Sequence, residues 1–163
     1  MAVTSLRPGL RLRLEPFLTP AFRAWWRINR GMTLGVRCLA HDEQGRIALI
    51  RHSYRPGWFL PGGGVESGET LMEAALKELA EEAALRATAA PRLFSVYANH
   101  ANFKNDHVAL FVFEAFEVEP FRPNQEIAEM GFFDISALPQ GVTSGTRARL
   151  AEVFENAPIA PHW

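Results

Sequence analysis

The stretch from Gly62 to Leu85 constrains this 163-residue chain more than any other part of it. Gly62-Gly63-Gly64 opens it, a backbone run free to adopt conformations closed to other residues. Thr70 with Glu73 three residues later has the spacing of a helix-capping box, so a helix is expected to start just after Thr70. At 100° per residue, Leu71, Met72, Ala75, Leu76, Leu79 and Ala83 share one face, which predicts the side packed on a core. Glu78, Glu81 and Glu82 fall together on a neighbouring arc about 100° wide, with the small Ala74 one turn earlier on the same arc.

Three carboxylates within one helical turn repel one another, by a few tenths of a kcal/mol per i,i+4 pair even when exposed. A divalent cation would reverse that sign. Oxygen donors suit magnesium or manganese, and the preceding glycines let backbone groups approach a metal or a phosphate without a Cβ in the way. The competing reading of such a cluster is a solvated helix face.

Charge distribution sharpens the contrast. The formal net charge is −1, which gives no reason to expect a nucleic-acid partner. Yet residues 1–61 carry ten Arg against three acids, while residues 62–85 carry six Glu against one Lys. The acidity therefore concentrates in the loop-helix stretch. A 48% apolar, 21% charged composition of this length predicts one globular domain. Cys38 is the only cysteine, which excludes an internal disulfide framework and a Cys-rich zinc site. No run of eighteen apolar residues exists to span a membrane, and Pro8, Pro16 and Pro20 interrupt the Arg-rich start. A cytoplasmic protein is expected.

The remaining chain reads as strands and helices of an α/β or α+β domain over residues 31–163, preceded by an N-terminal segment, residues 1–30. Within that segment Pro20 to Arg30 predicts a short helix capped by Thr19, its Phe22, Trp25, Trp26 and Ile28 packing on the domain or forming a homodimer contact. Met32–Ala40 and Arg46–His52 read as strands joined by a hairpin-like turn at Gly45. Leu93–Ala101 and His107–Glu119 are further strand candidates, and the wholly apolar Val108–Phe113 suits a strand covered on both faces. Thr146–Glu155 reads as a final amphipathic helix.

In its loop-helix stretch the chain resembles the Nudix hydrolases. Their box runs Gly, five residues, Glu, seven residues, then Arg-Glu-apolar-any-Glu-Glu-any-Gly-apolar. Gly63, Glu69, Glu78, Leu79, Glu81, Glu82 and Leu85 match it; Lys77 stands in place of Arg and Ala84 in place of Gly. Lys keeps the charge of Arg without its planar bidentate contact, and Ala84 pays about 1 kcal/mol if a left-handed backbone is kept after the helix. The alternative is a helix that runs one residue further.

The resemblance implies a Nudix-like α/β/α sandwich with a mixed sheet between helices. It implies magnesium or manganese held by Glu78, Glu81, Glu82 and the carbonyl of Gly62, with Gly63, Glu69 and Lys77 bracing the loop and helix. Glu126 is the first choice for a further catalytic carboxylate from a late loop, and Glu129 the second. The implied activity is metal-dependent hydrolysis of a diphosphate linkage in a nucleoside diphosphate derivative, a small-molecule nucleotide. The other readings are a non-catalytic nucleotide-binding module and a pyrophosphohydrolase acting on RNA 5′ ends, for which only the Arg-rich N-terminal segment offers a positive surface. Arg51, Arg55 and Phe59 are candidate substrate contacts, the arginines for phosphate and the ring for a base. Tyr97, Asn99, Phe103 and Asn105 are of the same recognition type, while His52, His100 and His107 show no ligand spacing among themselves.

Overall fold

A computed structural model of the protein describes residues 31–163, so the helix expected over Pro20–Arg30 lies outside the described residues. Seven strands and two α-helices follow, with one short 3-10 turn at Ile135–Ala137: β1 Thr33–Ala40, β2 Arg46–His52, α1 Leu71–Ala83, β3 Leu85–Ala87, β4 Arg92–Ala98, β5 Asp106–Phe113, β6 Phe116–Val118, β7 Ile127–Asp134 and α2 Ser144–Phe154. Among them no helix is long and apolar enough to cross a membrane.

The apolar run of β5 forms the middle of a mixed ladder, parallel to β1 and antiparallel to β4. It is covered on both faces. Ala109, Phe111 and Phe113 join Val36, Cys38, Ala48 and Ile50 in a cluster closed by Ala75, Leu79 and Ala83 of α1. Leu110 and Val112 join Leu39, Ile47 and Leu49 in a second cluster that includes Leu150 of α2. Alternate residues of β1, β2 and β5 thus feed cores on opposite sides, which is the α/β/α layering with a mixed sheet.

The turn at Gly45 forms, with Asp42 Oδ1 accepting from the backbone of Gln44 at 3.0 Å and Arg46 at 2.8 Å. The strands it joins do not make a hairpin ladder. Beyond the single bridge His41–Ile47 they part, β2 pairing antiparallel with β7. The Gly-rich segment enters between them. Cys38 and Val36 donate to the carbonyls of Pro61 and Gly63, at 2.8 and 2.9 Å, while Phe59 exchanges two 2.9 Å bonds with Ile50 of β2. Gly62 makes this insertion feasible: its φ is +142°, and a Cβ there would lie 2.2 Å from the Val36 carbonyl oxygen.

Helix α1 begins as the capping box requires. Thr70 Oγ1 accepts from Glu73 N–H at 3.2 Å, and the Thr70 N–H donates to Glu73 Oε2 at 2.8 Å. Its buried face differs from the expected one. Met72 and Leu76 are 42% and 37% exposed, whereas Ala74, Ala75, Leu79, Glu82 and Ala83 are buried. The alanines let the helix approach the sheet until Cys38 Sγ donates to the Ala75 carbonyl at 3.3 Å. That approach rolls the acidic arc inward. The helix stops at Ala84, which takes the left-handed conformation at φ 52°. Leu85 is fully buried and opens the β3–β6 ladder, so the chain cannot continue as helix.

The long strand expected over His107–Glu119 is broken into β5 and β6, and Ile127–Asp134, unassigned from the sequence, becomes β7. The β2–β7 register slips between Arg51 and His52, so that Arg51 faces Glu129 but His52 faces Ile127. Such a bulge bends the strand and re-aims the side chain that follows.

Candidate active site

The ends of α1, β2 and β7 and the inserted glycine loop enclose a cleft of about 660 Å³ whose walls include Glu78, Glu81, Glu82 and Glu126. Glu82 is the most buried of the four, 6% exposed, and its Oε2 accepts from the Gly62 N–H at 2.6 Å. Burial pushes its pKa up to about 7, against the lowering effects of that N–H and of Arg37. Burial raises the Glu78 carboxyl as well, with Glu81 and Glu126 adding to the shift and Lys77 and Arg37 opposing it. Glu81 is exposed on the same wall.

The glycine loop is shaped around these acids. A Cβ on Gly63 would stand 2.5 Å from Glu78 Oε1, so a glycine leaves the room that the carboxylate occupies. Lys77 turns the other way. Its Nζ lies 3.0 Å from Glu69 Oε1 and 3.4 Å from Glu66 Oε1, and Glu69 Oε2 accepts from the Glu66 N–H at 2.9 Å. The ammonium thereby ties the helix to the loop that precedes it.

Two cleft residues escaped the sequence reading. His52 is 4% exposed, and together with Glu82 and Glu126 it offers ligand atoms that all lie within 4.8 Å of one another. Its Nε2 is 2.9 Å from Arg55 Nη2. A guanidinium only donates, so this nitrogen is an acceptor and the imidazole is neutral. Burial, Arg55 and Arg37 push its pKa down to about 4. The strand alternation of Ala48, Ile50 and His52, which puts all three on the α1 side, was the signal available for it. Arg37 of β1 is the second, a cation on the wall of the cleft that holds the four carboxylates.

The expected substrate residues separate. Arg55 lines the cleft, its guanidinium 4.0 Å above the Phe59 ring. Phe59 therefore supports Arg55, and it packs edge-on to His52 at 5.3 Å. Arg51 lies outside the cleft wall and is bound to Glu129, with Nε 3.0 Å from Glu129 Oε2. That cross-strand pair occupies the second-choice late carboxylate and leaves Glu126 in the cleft.

Four carboxylates and a loop of close-approaching backbone make a donor set suited to a hard divalent cation. The upward shift of Glu78 and Glu82 marks the destabilisation that such a cation would relieve. Glu78, Glu81 and Glu82 with Glu126 are the residues that could hold it, while the one acceptor nitrogen of His52 is taken by Arg55.

The family profile described as NUDIX domain matches residues 31–155. Over 63 residues, 36% of this chain, the sequence is 42% identical to an m7GpppN-mRNA hydrolase NUDT17 of Xenopus laevis. Over 104 residues, 61% of this chain, it is 33% identical to an ADP-ribose pyrophosphatase of Methanocaldococcus jannaschii. The matched stretches cover 21% and 60% of those two proteins, less than two thirds of either. The crystal structure of a MutT NUDIX hydrolase from Burkholderia pseudomallei superposes with a TM-score of 0.64 at 28% identity, covering 74% of this chain and 97% of that one.

Proposed function

This chain belongs to the NUDIX domain family, and from that premise we propose that it hydrolyses a diphosphate linkage in a nucleoside diphosphate derivative, with magnesium or manganese bound and water as the nucleophile. The observation that carries this reading is the convergence of Glu78, Glu81, Glu82 and Glu126 on one cleft that also presents the Arg55 guanidinium. A module that only bound nucleotide would have no use for four mutually repelling carboxylates, two of them destabilised by burial.

Each residue then has a chemical task. Glu78, Glu81 and Glu82, with the Gly62 carbonyl, would hold the metal. Bound there, a divalent ion supplies charge neutralisation at the phosphoryl oxygens and lowers the pKa of coordinated water. Glu126, on the exposed loop before β7, accepts the proton of the attacking water, with Glu78 as the second candidate. Arg55, fixed between the His52 acceptor and the Phe59 ring, meets phosphate oxygens as negative charge builds on them. Glu69 and Lys77 keep the loop and helix in register. The Arg-rich segment that an RNA 5′ end would engage lies before the family match and outside the described residues.

The test is a magnesium-dependent screen of the full chain against ADP-ribose, nucleotide sugars, dinucleoside polyphosphates and nucleoside triphosphates, with phosphate and pyrophosphate measured separately. Product release from at least one group, abolished by chelator, is expected. Full activity in chelator, or none with any diphosphate, overturns the reading.

A further inference from the structure

Two cavities meet at Arg37. The carboxylate cleft and a neighbouring pocket of about 320 Å³ share Arg37, Gly63 and Gly64 in their walls. Beyond that shared wall the smaller pocket is lined by Asn99, Phe103 and Asp106, among others.

Arg37 sits mid-strand in β1, flanked by the fully buried Val36 and Cys38. Its Nη1 is buried and has no hydrogen-bond partner among the described residues. Glu82 and Glu78 attract it through space, yet the hydrogen bond that Glu82 makes at the loop is accepted from Gly62 N–H. A buried, unsatisfied donor on a charged group is destabilising. Arg55, by comparison, is already held by His52 and Phe59. The open donor at Arg37 therefore suits an anion that arrives with the substrate, and a guanidinium pairs with phosphate oxygens in a fixed fork.

The smaller pocket suits what would be attached to that phosphate. Phe103 keeps 61% of its surface exposed, a flat apolar face of the kind on which a base stacks. Asp106 accepts from Thr33 Oγ1 at 2.6 Å and from Asn99 Nδ2 at 2.7 Å. These bonds fix its carboxylate and leave lone pairs for a ring amino group.

We propose that Arg37 binds a phosphate of the substrate's diphosphate, and that the nucleoside end passes over Gly63 and Gly64 to stack on Phe103 in the smaller pocket. This rests on the cleft being a diphosphate-hydrolysing site, and it assigns the two ends of the substrate to two cavities.

Binding of two non-hydrolysable probes to the full chain tests it by calorimetry, with and without magnesium: α,β-methylene-ADP, which carries a base, and methylenediphosphonate, which does not. R37M should weaken both about 10- to 100-fold, the range for losing a charge-assisted contact. R37K, which keeps the charge without the fork, should fall between R37M and the parent. F103A, at an exposed position, should weaken α,β-methylene-ADP about 5- to 50-fold and leave methylenediphosphonate unchanged. For any substrate found in the screen, F103A should raise KM with kcat little altered.

Undiminished binding of both probes by R37M and R37K would show Arg37 to be only a counter-charge to the acids. Equal effects of F103A on both probes, or none, would remove the base from that pocket. A parent protein inactive on every diphosphate overturns the hydrolase reading instead. Thermal melting of each variant separates lost binding from lost fold.

Discussion

A methyl group on Gly63 would lie 2.5 Å from Oε1 of Glu78, so the glycine of the loop and the first acid of the helical cluster occupy adjoining space with nothing to spare. The two are fifteen residues apart in the chain, and the loop must pass this close because it is hydrogen-bonded to β1 on its other side. A Gly63→Ala substitution should therefore act through the position of the Glu78 carboxylate. Because the clash is with the end of a flexible side chain, stability should change by less than about 1 kcal/mol. Displacing a catalytic group by about 1 Å lowers turnover by about 100-fold. Steady-state kinetics beside urea denaturation checks both halves; a variant that loses stability and activity in parallel would contradict the expectation.

Glu82 separates metal binding from folding. In Glu82→Gln the side-chain carbonyl can still accept from Gly62 N–H, and a carboxylate destabilised by burial is gone. The metal-free variant should be at least as stable as the parent. Magnesium at about 100 times its Kd should stabilise the parent by about 2.7 kcal/mol and the variant much less, while turnover falls by about 1,000-fold. Thermal shift against magnesium concentration, repeated in chelator, measures the first effect, and a kinetic assay the second.

Ala84 holds a left-handed conformation at φ 52° because Leu85 must leave the helix axis to enter the β3–β6 ladder. An L-residue pays about 1 kcal/mol for that geometry and glycine does not. Ala84→Gly should raise the unfolding free energy by about 0.5–1 kcal/mol in chemical denaturation, with kcat/KM unchanged. A loss of stability would mean that unfolded-state entropy outweighs the relief of strain.

What the sequence made legible was local. The capping box of Thr70 and Glu73 and the helical period of Glu78, Glu81 and Glu82 are local features, so α1 and the acidic arc could be placed from the sequence. The spacing of Gly63, Glu69 and Glu78, by contrast, was legible only through the family resemblance. The apolar run of β5 announced a strand covered twice. The β7 strand could not be read, because Ile127–Asp134 shows no clean apolar alternation and becomes extended through its ladder with β2, some eighty residues earlier. His52 and Arg37 were missed for a related reason. Each reaches the cleft from a strand distant in sequence: the alternation of β2 gave the side of His52 but not its neighbours, and the place of Arg37 depends on the loop inserted beside β1. The exposure of Met72 and Leu76 follows from close packing through alanines, which a hydrophobicity count ranks below larger residues.

The far side of the sheet holds a buried polar group whose removal should leave the chemistry alone. Tyr97 Oη donates to Glu152 Oε2 at 2.7 Å, Arg149 Nη2 donates to Glu152 Oε1 at 2.6 Å, and the Arg149 guanidinium lies 3.9 Å above the Tyr97 ring. The Ala160 N–H also donates to Glu152 at 3.0 Å, and Arg149 Nη1 donates to the His162 carbonyl at 3.1 Å, so the group ties the C-terminal residues to α2. Tyr97→Phe removes one donor and keeps the ring under the guanidinium, which should cost about 1–3 kcal/mol. Glu152→Ala strands a buried Arg149 and should cost more, about 3–5 kcal/mol. Urea denaturation should rank the two in that order. Since none of the three side chains lines the carboxylate cleft, kcat and KM at a temperature where each variant is folded should match the parent within about twofold. Equal destabilisation by the two substitutions would show that the tyrosine hydroxyl, rather than the ion pair, holds the group together.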